Sequence, residues 1–308
     1  MAGILKANRR GKVFSWLRWC AALLLLLAGW AHYGAVLART VAAIRDPFED
    51  MPAAWLFPLV GLLDIWLRRD GFRKVAGLPS LTGFVWVSAF LALAWSGARL
   101  GLMPFEQVSL IGLVWSVPYA LWGKGTGRLM LFPAWYLLFS LPVSPYLETF
   151  TLFLRTLAAG TATSLLNGVG VDIGLFGGTR IFYGDSPDTG FSVDVADACS
   201  GIRSLSALVA GTAAYAHFFL KTRTQRWMLF ACSFLIAILG NILRILSICI
   251  VGIFFGQAAT AGYFHEYSGY VFYGIALSLL FLAEKRIPRL ISWLDARRHD
   301  RPKDDRPT

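Results

Sequence analysis

Apolar stretches that are long enough, or nearly long enough, to cross a lipid bilayer recur along the whole chain. They lie at 17–38, 53–67, 81–100, 108–122, 129–142, 147–167, 199–219, 227–256 and 267–283. A hydrocarbon core of about 30 Å is crossed by about 20 apolar residues of helix. Hydrophobic residues make up 56% of the chain, more than a soluble domain of this size can bury. The sequence therefore predicts an all-α membrane protein, a polytopic bundle of helices.

Clusters of Lys and Arg indicate which stretches cross, because basic loops stay on the cytoplasmic side of a membrane. The clusters lie at the N-terminus, at 68–74, 124–128 and 221–226, and in the tail 285–306. They share one side only if the region 129–198 contains a single crossing. We therefore predict about eight transmembrane helices, with 22 basic residues inside and five outside. The stretch 147–167 is then an outer interfacial or partly re-entrant helix, and a ninth span is the alternative.

The largest polar segment between apolar stretches is 168–198. Within it, RIFYG (180–184) and the alternating FSVDVADA (191–198) flank the turn-rich GDSPDTG, a pattern that predicts a small outer β-hairpin. Because no linker rich in Pro, Gly or Ser divides the chain, we expect a single transmembrane domain over 1–294. The polar tail 295–308 is predicted to be cytoplasmic and disordered. The net charge of +11 is accounted for by the loops, so no nucleic-acid partner is predicted.

Few ionisable or nucleophilic side chains lie within the apolar stretches, and such residues are functional candidates by default. Cys199 opens the seventh stretch at its outer end, and Arg203 follows on the same helix face four residues later. Arg244 lies about 25 Å from the cytoplasmic start of its helix, and Asn241 shares its face. His265 lies in the short outer connection before the last span. Three neighbouring segments thus bring a cysteine, an arginine and a histidine to the same outer level.

These three residue types suit a thiol-dependent active site. A helix N-terminus and a nearby arginine lower the pKa of a thiol, an arginine stabilises an oxyanion, and a histidine gives and takes a proton. The alternatives are that the cysteine only packs, as we expect for the other three, and that the arginines pair with nearby acidic residues. His32 is a second candidate for the base. Motifs of serine hydrolases, zinc proteases and aspartyl proteases are absent, and no cofactor or metal is predicted.

A non-enzymatic membrane protein is the main rival interpretation. In a transporter or a polysaccharide-export component, Arg203 and Arg244 would line a path for anions. Such a protein tolerates the loss of Cys199, whereas a thiol enzyme does not.

Three short motifs resemble, in order and context, the signature blocks of the exosortase/archaeosortase family of membrane enzymes. They are ACSGIRSL (198–205), NILRI (241–245) and HEYSG (265–269). The preceding LFPAWYLLFSLPV (131–143) is similar to the lead-in of that family, so that the resemblance covers about 130–283.

The resemblance implies that Cys199, Arg244 and His265 are the catalytic residues of an intramembrane cysteine protease or transpeptidase. Inside the matching blocks, it implies supporting roles for Arg203, Asn241 and Glu266. The expected partners, besides membrane lipids, are exported proteins with a C-terminal sorting signal, which consists of a short motif, a transmembrane helix and a basic cluster. We expect a multi-pass protein of the bacterial inner membrane with its site facing outward, while the acceptor of the cleaved chain stays open.

Overall fold

The computed structural model describes residues 33, 34, 38, 41, 56–141, 148–186, 189–195, 202–256, 259 and 263–299, and at the ends of some segments it describes the backbone alone. The chain divides into two compact units, Met1–Pro142 and Val143–Thr308. Eight α-helices and one three-stranded sheet are found in the described residues. That the chain forms one domain stays a prediction.

The first unit is helical. It contains α1 (Leu56–Leu67), α2 (Arg69–Val75), α3 (Leu81–Leu100) and α4 (Met103–Tyr136), followed by a 3₁₀-helix at Leu137–Ser140. The closest approaches of α3 to α4 are, in order along α3, Gly83 to Ala120, Phe90 to Gly112 and Gly97 to Phe105. Because the partners on α4 run in reverse order, the two helices are antiparallel, and glycines let their backbones approach closely.

Helix α4 bends sharply at Gly123, whose φ of 84° lies in a region that glycine adopts without strain. Trp115 Nε1 donates a hydrogen bond of 2.9 Å to the carbonyl oxygen of Gly127, although a straight helix would separate these residues by about 18 Å. The two arms, 103–122 and 124–136, therefore fold against each other. The sequence predicts two apolar stretches joined by a basic loop; the structure has both arms, but their connection is tighter because one glycine makes the turn.

An ion pair at the C-terminal end of α1 was not predicted from the sequence. Asp64 is 1% exposed and pairs with Arg68, one helical turn later. Arg68 also donates a hydrogen bond of 3.1 Å to the carbonyl oxygen of Leu129. Because a buried carboxylate is costly unless it is paired, Arg68 compensates the charge of Asp64 and ties α1 to α4. The spacing of four residues between opposite charges is the signal that could have revealed the pair.

The second unit combines helices with a small sheet. In chain order it contains α5 (Glu148–Gly168), β1 (Ile173–Phe176), β2 (Arg180–Ser186), β3 (Thr189–Asp194), α6 (Ile202–Phe219), α7 (Arg223–Phe255) and α8 (Tyr263–His299). The strands pair antiparallel in the order β1-β2-β3, with Ile181 opposite both Leu175 and Val193. The predicted hairpin is confirmed as β2 and β3. The additional strand β1 lies in a glycine-rich stretch whose low strand propensity hides it.

The sheet and α5 pack on one face of α7. Their shared apolar core contains four residues of α5, one residue from each strand, Val195 and four residues of α7: Ala158, Ala159, Ala162, Leu166, Ile173, Ile181, Phe191, Val195, Ile242, Ile245, Ile248 and Cys249. A side chain at Gly252 of α7 would overlap the ring of Phe191. The absence of a side chain at Gly252 therefore lets the sheet rest directly on α7.

Helices α6, α7 and α8 form a three-helix layer whose register can be read from buried clusters. Leu208 of α6 packs with Ala237 of α7 and Ala276 of α8. Further along α6, Ala216 packs with Leu229 and Leu280. Moving forward along α6 therefore means moving backward along α7 and forward along α8, so that α7 is antiparallel to both neighbours.

Among the described residues, three helical segments are long and apolar enough to span a membrane. They are Leu81–Leu100, Arg223–Phe255 and Tyr267–Trp293, and shorter apolar helices lie at Leu56–Leu67 and Leu205–Phe219. The predicted helical membrane protein is confirmed, whereas the count of eight spans stays a prediction. Helix α1 has 12 residues, which extend over about 18 Å, and the bend divides α4. The predicted first span, 17–38, lies almost wholly outside the described residues.

Two further predictions concern the segments around this layer. Helix α5 has 21 residues and is not among the three candidate spans. Its assignment as an outer interfacial or partly re-entrant helix stays a prediction. Helix α8 continues to His299, five residues into the segment 295–308 for which we predict disorder. The Ala and Arg residues there favour continuation of the helix, and 300–308 lie outside the described residues.

The substitution Gly252→Ala should destabilise the second unit, because the added methyl group overlaps the ring of Phe191 and forces the ring or the sheet to move. Overpacking of this kind costs about 1–3 kcal/mol. The matched control is Gly211→Ala in α6, where the new Cβ meets no atom within 4 Å. We expect a lower melting temperature of the solubilised protein for Gly252→Ala alone. Equal melting temperatures for the two variants would show that the sheet does not rest on Gly252.

Candidate active site

Arg244 is held by α8 inside the three-helix layer. It lies eleven residues before the end of α7 at Phe255, about 17 Å along the axis. Its Nε donates a hydrogen bond of 3.3 Å to Oγ of Ser268, a side chain that is 4% exposed. A Cβ added at Gly269 would lie 3.6 Å from the guanidinium carbon, so the guanidinium group packs against the backbone there. Helix α8 thus provides Arg244 with a hydrogen-bond acceptor at Ser268 and, because Gly269 has no side chain, with the space that its guanidinium group occupies.

A small pocket adjoins Arg244 between α6, α7 and α8. Its wall is formed mainly by small or apolar residues, Leu208, Ala237, Gly240, Phe272, Tyr273 and Ala276, while Asn241, Arg244 and Gly269 lie at its other end. The buried cluster of Leu208, Ala237 and Ala276 closes the apolar end. The pocket therefore has an apolar base and a polar end at the level of Arg244.

Asn241 brings an unused hydrogen-bond acceptor to this pocket. Its Oδ1 is buried and has no hydrogen-bond partner among the residues that the structure describes. Buried polar atoms are nearly always hydrogen-bonded, so each exception requires an explanation. The sequence places Asn241 on the same helix face as Arg244, and the structure confirms this, since both line the pocket.

His265 lies in the first turn of α8 rather than in a connection before it, so the predicted location in a short loop is wrong. The helix starts at Tyr263, two residues before His265. His265 precedes Ser268 and Gly269 by three and four residues, and such positions share a helix face. The backbone of His265 is therefore one turn from the contact with Arg244. Glu266 is in the same turn, about 100° further around the helix.

Arg203 reaches the level of Asn241 but not the face of α6 that lines the pocket. Leu208 of α6 packs with Ala237 of α7. Because the two helices are antiparallel, the backbone of Arg203, five residues before Leu208, is at the level of Ile242, five residues after Ala237. Arg203 and Leu208 are, however, about 140° apart around α6. Cys199 lies outside the described residues, so its predicted placement on one face with Arg203 stays a prediction.

Metal ligation finds no support in this part of the chain. Among the described residues, no group of three or more His, Cys, Asp or Glu is placed to hold a metal ion. Cys232 and Cys249 are described, and neither forms a disulfide bond with another described residue. Cys249 is fully buried in the apolar core on α7, which confirms its predicted packing role.

Arg244 and Asn241 were predicted as site residues from the sequence, but the residues that contact and surround them were not. Ser268 lies inside the HEYSG motif, three residues after His265, and this helical spacing is a signal that could have identified it. Gly240 and Gly269 are small residues in apolar helices, a pattern typical of close helix contacts. Tyr273 follows Gly269 by four residues and carried no signal of its own.

These features define a helical membrane protein that holds a polar site between three of its helices. The chain matches the family model described as transmembrane exosortase over residues 48–282, well over half of its length, and it belongs to this family of membrane enzymes associated with protein sorting. The match extends beyond the resemblance over 130–283 and includes most of the first unit. Neither the comparison with curated proteins nor that with solved structures gave a match.

Replacing Ser268 with Ala should lower the sorting activity by about tenfold, because a hydrogen bond to a charged group contributes about 1.5–3 kcal/mol and its loss leaves Arg244 poorly oriented. Ser268→Thr keeps the hydroxyl group and should restore part of the activity. Ser278→Ala is the matched control, since Ser278 is an exposed residue of α8 that bonds only within its own helix. The measurement is the rate at which a tagged exported substrate is processed. Equal rates for Ser268→Ala and Ser278→Ala would contradict the role of Ser268.

Proposed function

We propose that the protein is an intramembrane cysteine protease or transpeptidase that cleaves the C-terminal sorting signal of exported proteins. In this proposal Cys199 is the nucleophile, Arg244 stabilises the oxyanion, and His265 is the general acid and base. Membership in the transmembrane exosortase family supports the class of enzyme. The roles of the three residues are our assignment.

The contact between Arg244 and the first turns of α8 is the observation that carries the assignment. The guanidinium group is hydrogen-bonded to Ser268 and packed on Gly269, and His265 is one helical turn away on that face. A charged side chain inside an apolar bundle is expensive and seldom kept without a function. An arginine and a histidine at one level thus supply an oxyanion clamp and a proton donor for the same substrate group.

The chain length between fixed points supports the role of Cys199. Val195 is fully buried in one core with Ile245, the residue after Arg244, and its N–H donates to the carbonyl oxygen of Thr179 at 3.1 Å. Four residues span at most about 14 Å. Cys199 is therefore within about 14 Å of a residue that shares a buried core with Ile245, and α6 begins three residues after Cys199, at Ile202.

The first half of the reaction forms a thioester. The thiolate of Cys199 attacks the carbonyl carbon of the scissile peptide bond, and the oxygen takes up negative charge that Arg244 stabilises. The tetrahedral intermediate then collapses, the carbon–nitrogen bond breaks, and the departing amine takes a proton from the imidazolium of His265. The signal helix leaves with its new amino terminus, and the exported chain stays on sulfur.

The second half releases the exported chain. A water molecule or an amine acceptor attacks the thioester carbonyl, His265 removes its proton, and the carbon–sulfur bond breaks to restore the thiolate. The division of roles follows from acidity. Arginine has a pKa above about 12 and stays charged, whereas an unperturbed histidine titrates near about 6.5 and both gives and takes protons. Supporting roles are assigned to Arg203, Asn241 and Glu266.

The substrate class follows from where such a site lies. An enzyme in the inner membrane with its site near the outer face meets exported proteins whose terminal helix is still in the bilayer. The substrate helix packs beside the bundle, and its basic cluster stays on the cytoplasmic side. The short motif is then held at the level of the three residues. The predominance of basic residues in the loops predicted to be cytoplasmic supports this orientation.

Cys199→Ala should abolish processing of a tagged exported substrate that carries the motif, the apolar helix and the basic cluster. Without the thiol no thioester forms, and the loss should exceed about a hundredfold. The matched control is Cys232→Ala, which removes a thiol from α7 and should leave processing unchanged. The measurement is the shift from precursor to shortened product in cells that carry each variant.

Normal processing by Cys199→Ala would reject covalent thiol catalysis and favour a transport protein that depends on its arginines. His265→Ala should also stop processing. If it does not, the role of the base moves to another residue, and His32 is the first to test.

A further inference from the structure

The pocket beside Arg244 combines features that the proposed chemistry does not use. Its polar end is lined by Arg244 and by Asn241, whose buried Oδ1 has no hydrogen-bond partner among the residues that the structure describes. One group accepts a hydrogen bond and the other donates. The base of the pocket is formed by Leu208, Ala237 and Ala276. A ligand that fits must offer a donor and an acceptor side by side and a small apolar group between the helices.

A single residue of an extended peptide offers this combination. Its N–H and C=O groups point to the same side, as in the hydrogen-bonded pairs of an antiparallel sheet. Asn241 and Arg244 are three residues apart on α7, which separates them by about 4.5 Å along the helix axis. A peptide residue beside α7 can therefore direct its N–H to Asn241 and its carbonyl oxygen to Arg244.

We propose that this pocket is the subsite for the substrate residue whose carbonyl group is attacked. The N–H of that residue donates to Oδ1 of Asn241, its carbonyl oxygen is bound by Arg244, and its side chain enters the pocket. Asn241 is a positioning residue in this arrangement, since it fixes the peptide relative to the oxyanion clamp. The inference rests on the proposed function and adds to it the selectivity of the site.

The size of the pocket determines which side chains fit. Its volume is about 30 Å³, roughly two to three times the space that one buried water molecule needs. A hydrogen atom, a methyl group or a hydroxymethyl group can enter without moving the wall. A leucine side chain cannot, because close-packed interiors resist added volume. The subsite therefore selects Gly, Ala or Ser immediately before the cut.

Gly240 allows the pocket to be filled without disturbing the helices. A Cβ added at Gly240 would have Ala276 Cβ, at 3.9 Å, as its nearest neighbour, an ordinary contact. Gly240→Ala should therefore fold normally and place one methyl group in the pocket. The matched control is Gly274→Ala, an exposed position of α8 where a new Cβ meets no atom within 4 Å.

The experiment uses the full-length protein in its membrane and a tagged exported protein with a C-terminal sorting signal. Mass spectrometry of the shortened product identifies the residue before the cut, which is then changed to Gly, Ala or Leu. We expect the unmodified enzyme to process Gly and Ala at least about tenfold faster than Leu. Gly240→Ala should lose at least about tenfold on Ala while retaining Gly, and Gly274→Ala should keep the original profile.

Asn241→Ala provides a second, independent readout. Removing a side chain whose Oδ1 has no hydrogen-bond partner among the described residues should leave the melting temperature unchanged, whereas a structural role would lower it. Processing of the Gly and Ala substrates should fall by about tenfold, as expected for one lost substrate hydrogen bond in the transition state. A normal rate for Asn241→Ala would remove the assignment of Asn241.

The failure of this inference can be told apart from the failure of the proposed function. Equal processing of Leu and Ala substrates by the unmodified enzyme, or an equal loss on Gly and Ala in Gly240→Ala, overturns the subsite alone, provided that Cys199→Ala is inactive. Processing by Cys199→Ala overturns both proposals.

Discussion

The hydrogen bond from Arg244 to Ser268 is the interaction on which the second unit depends. A guanidinium group inside an apolar bundle must find acceptors within the protein, because none are available in lipid. Helix α8 can provide one only if it comes close to α7. The small residues Gly240, Gly269 and Ala276 permit that approach, since dispersion and hydrogen bonding hold helices together where the hydrophobic effect is weak. Close packing thus follows from the need to satisfy one charged side chain.

The same contact has consequences for the neighbouring elements. It fixes α8 so that the turn with His265 lies at the level of Arg244, and it leaves a pocket between α6, α7 and α8. On another face of α7, the sheet rests on Gly252 and ends at the buried Val195. The segment that contains Cys199 joins this anchored point to α6. In the proposed mechanism Cys199 is the nucleophile, and a rigid scaffold on both sides of such a residue helps to preorganise an active site.

The helical class, the hairpin and the identity of Arg244 and Asn241 could be predicted from sequence, because apolar length, strand alternation and rare polar residues leave local signals. Strand β1 could not, since its glycines hide its strand character. The pair of Asp64 and Arg68 and the contact of Arg244 with Ser268 depend on partners that only the fold brings together. The count of eight spans stays a prediction, since three of the described helices are long and apolar enough to span a membrane.

The proposed mechanism requires that Cys199 lies beside the face of α8 that contacts Arg244. Cross-linking tests it most directly in a His265→Cys variant, with a short bifunctional thiol reagent and mass spectrometry of the linked peptides. The control variant is Tyr270→Cys, which places a thiol at an exposed position on another face of α8. We expect Cys199 to be linked to position 265 and much less to position 270. Preferential linkage to position 270, or equal linkage to both, would contradict it.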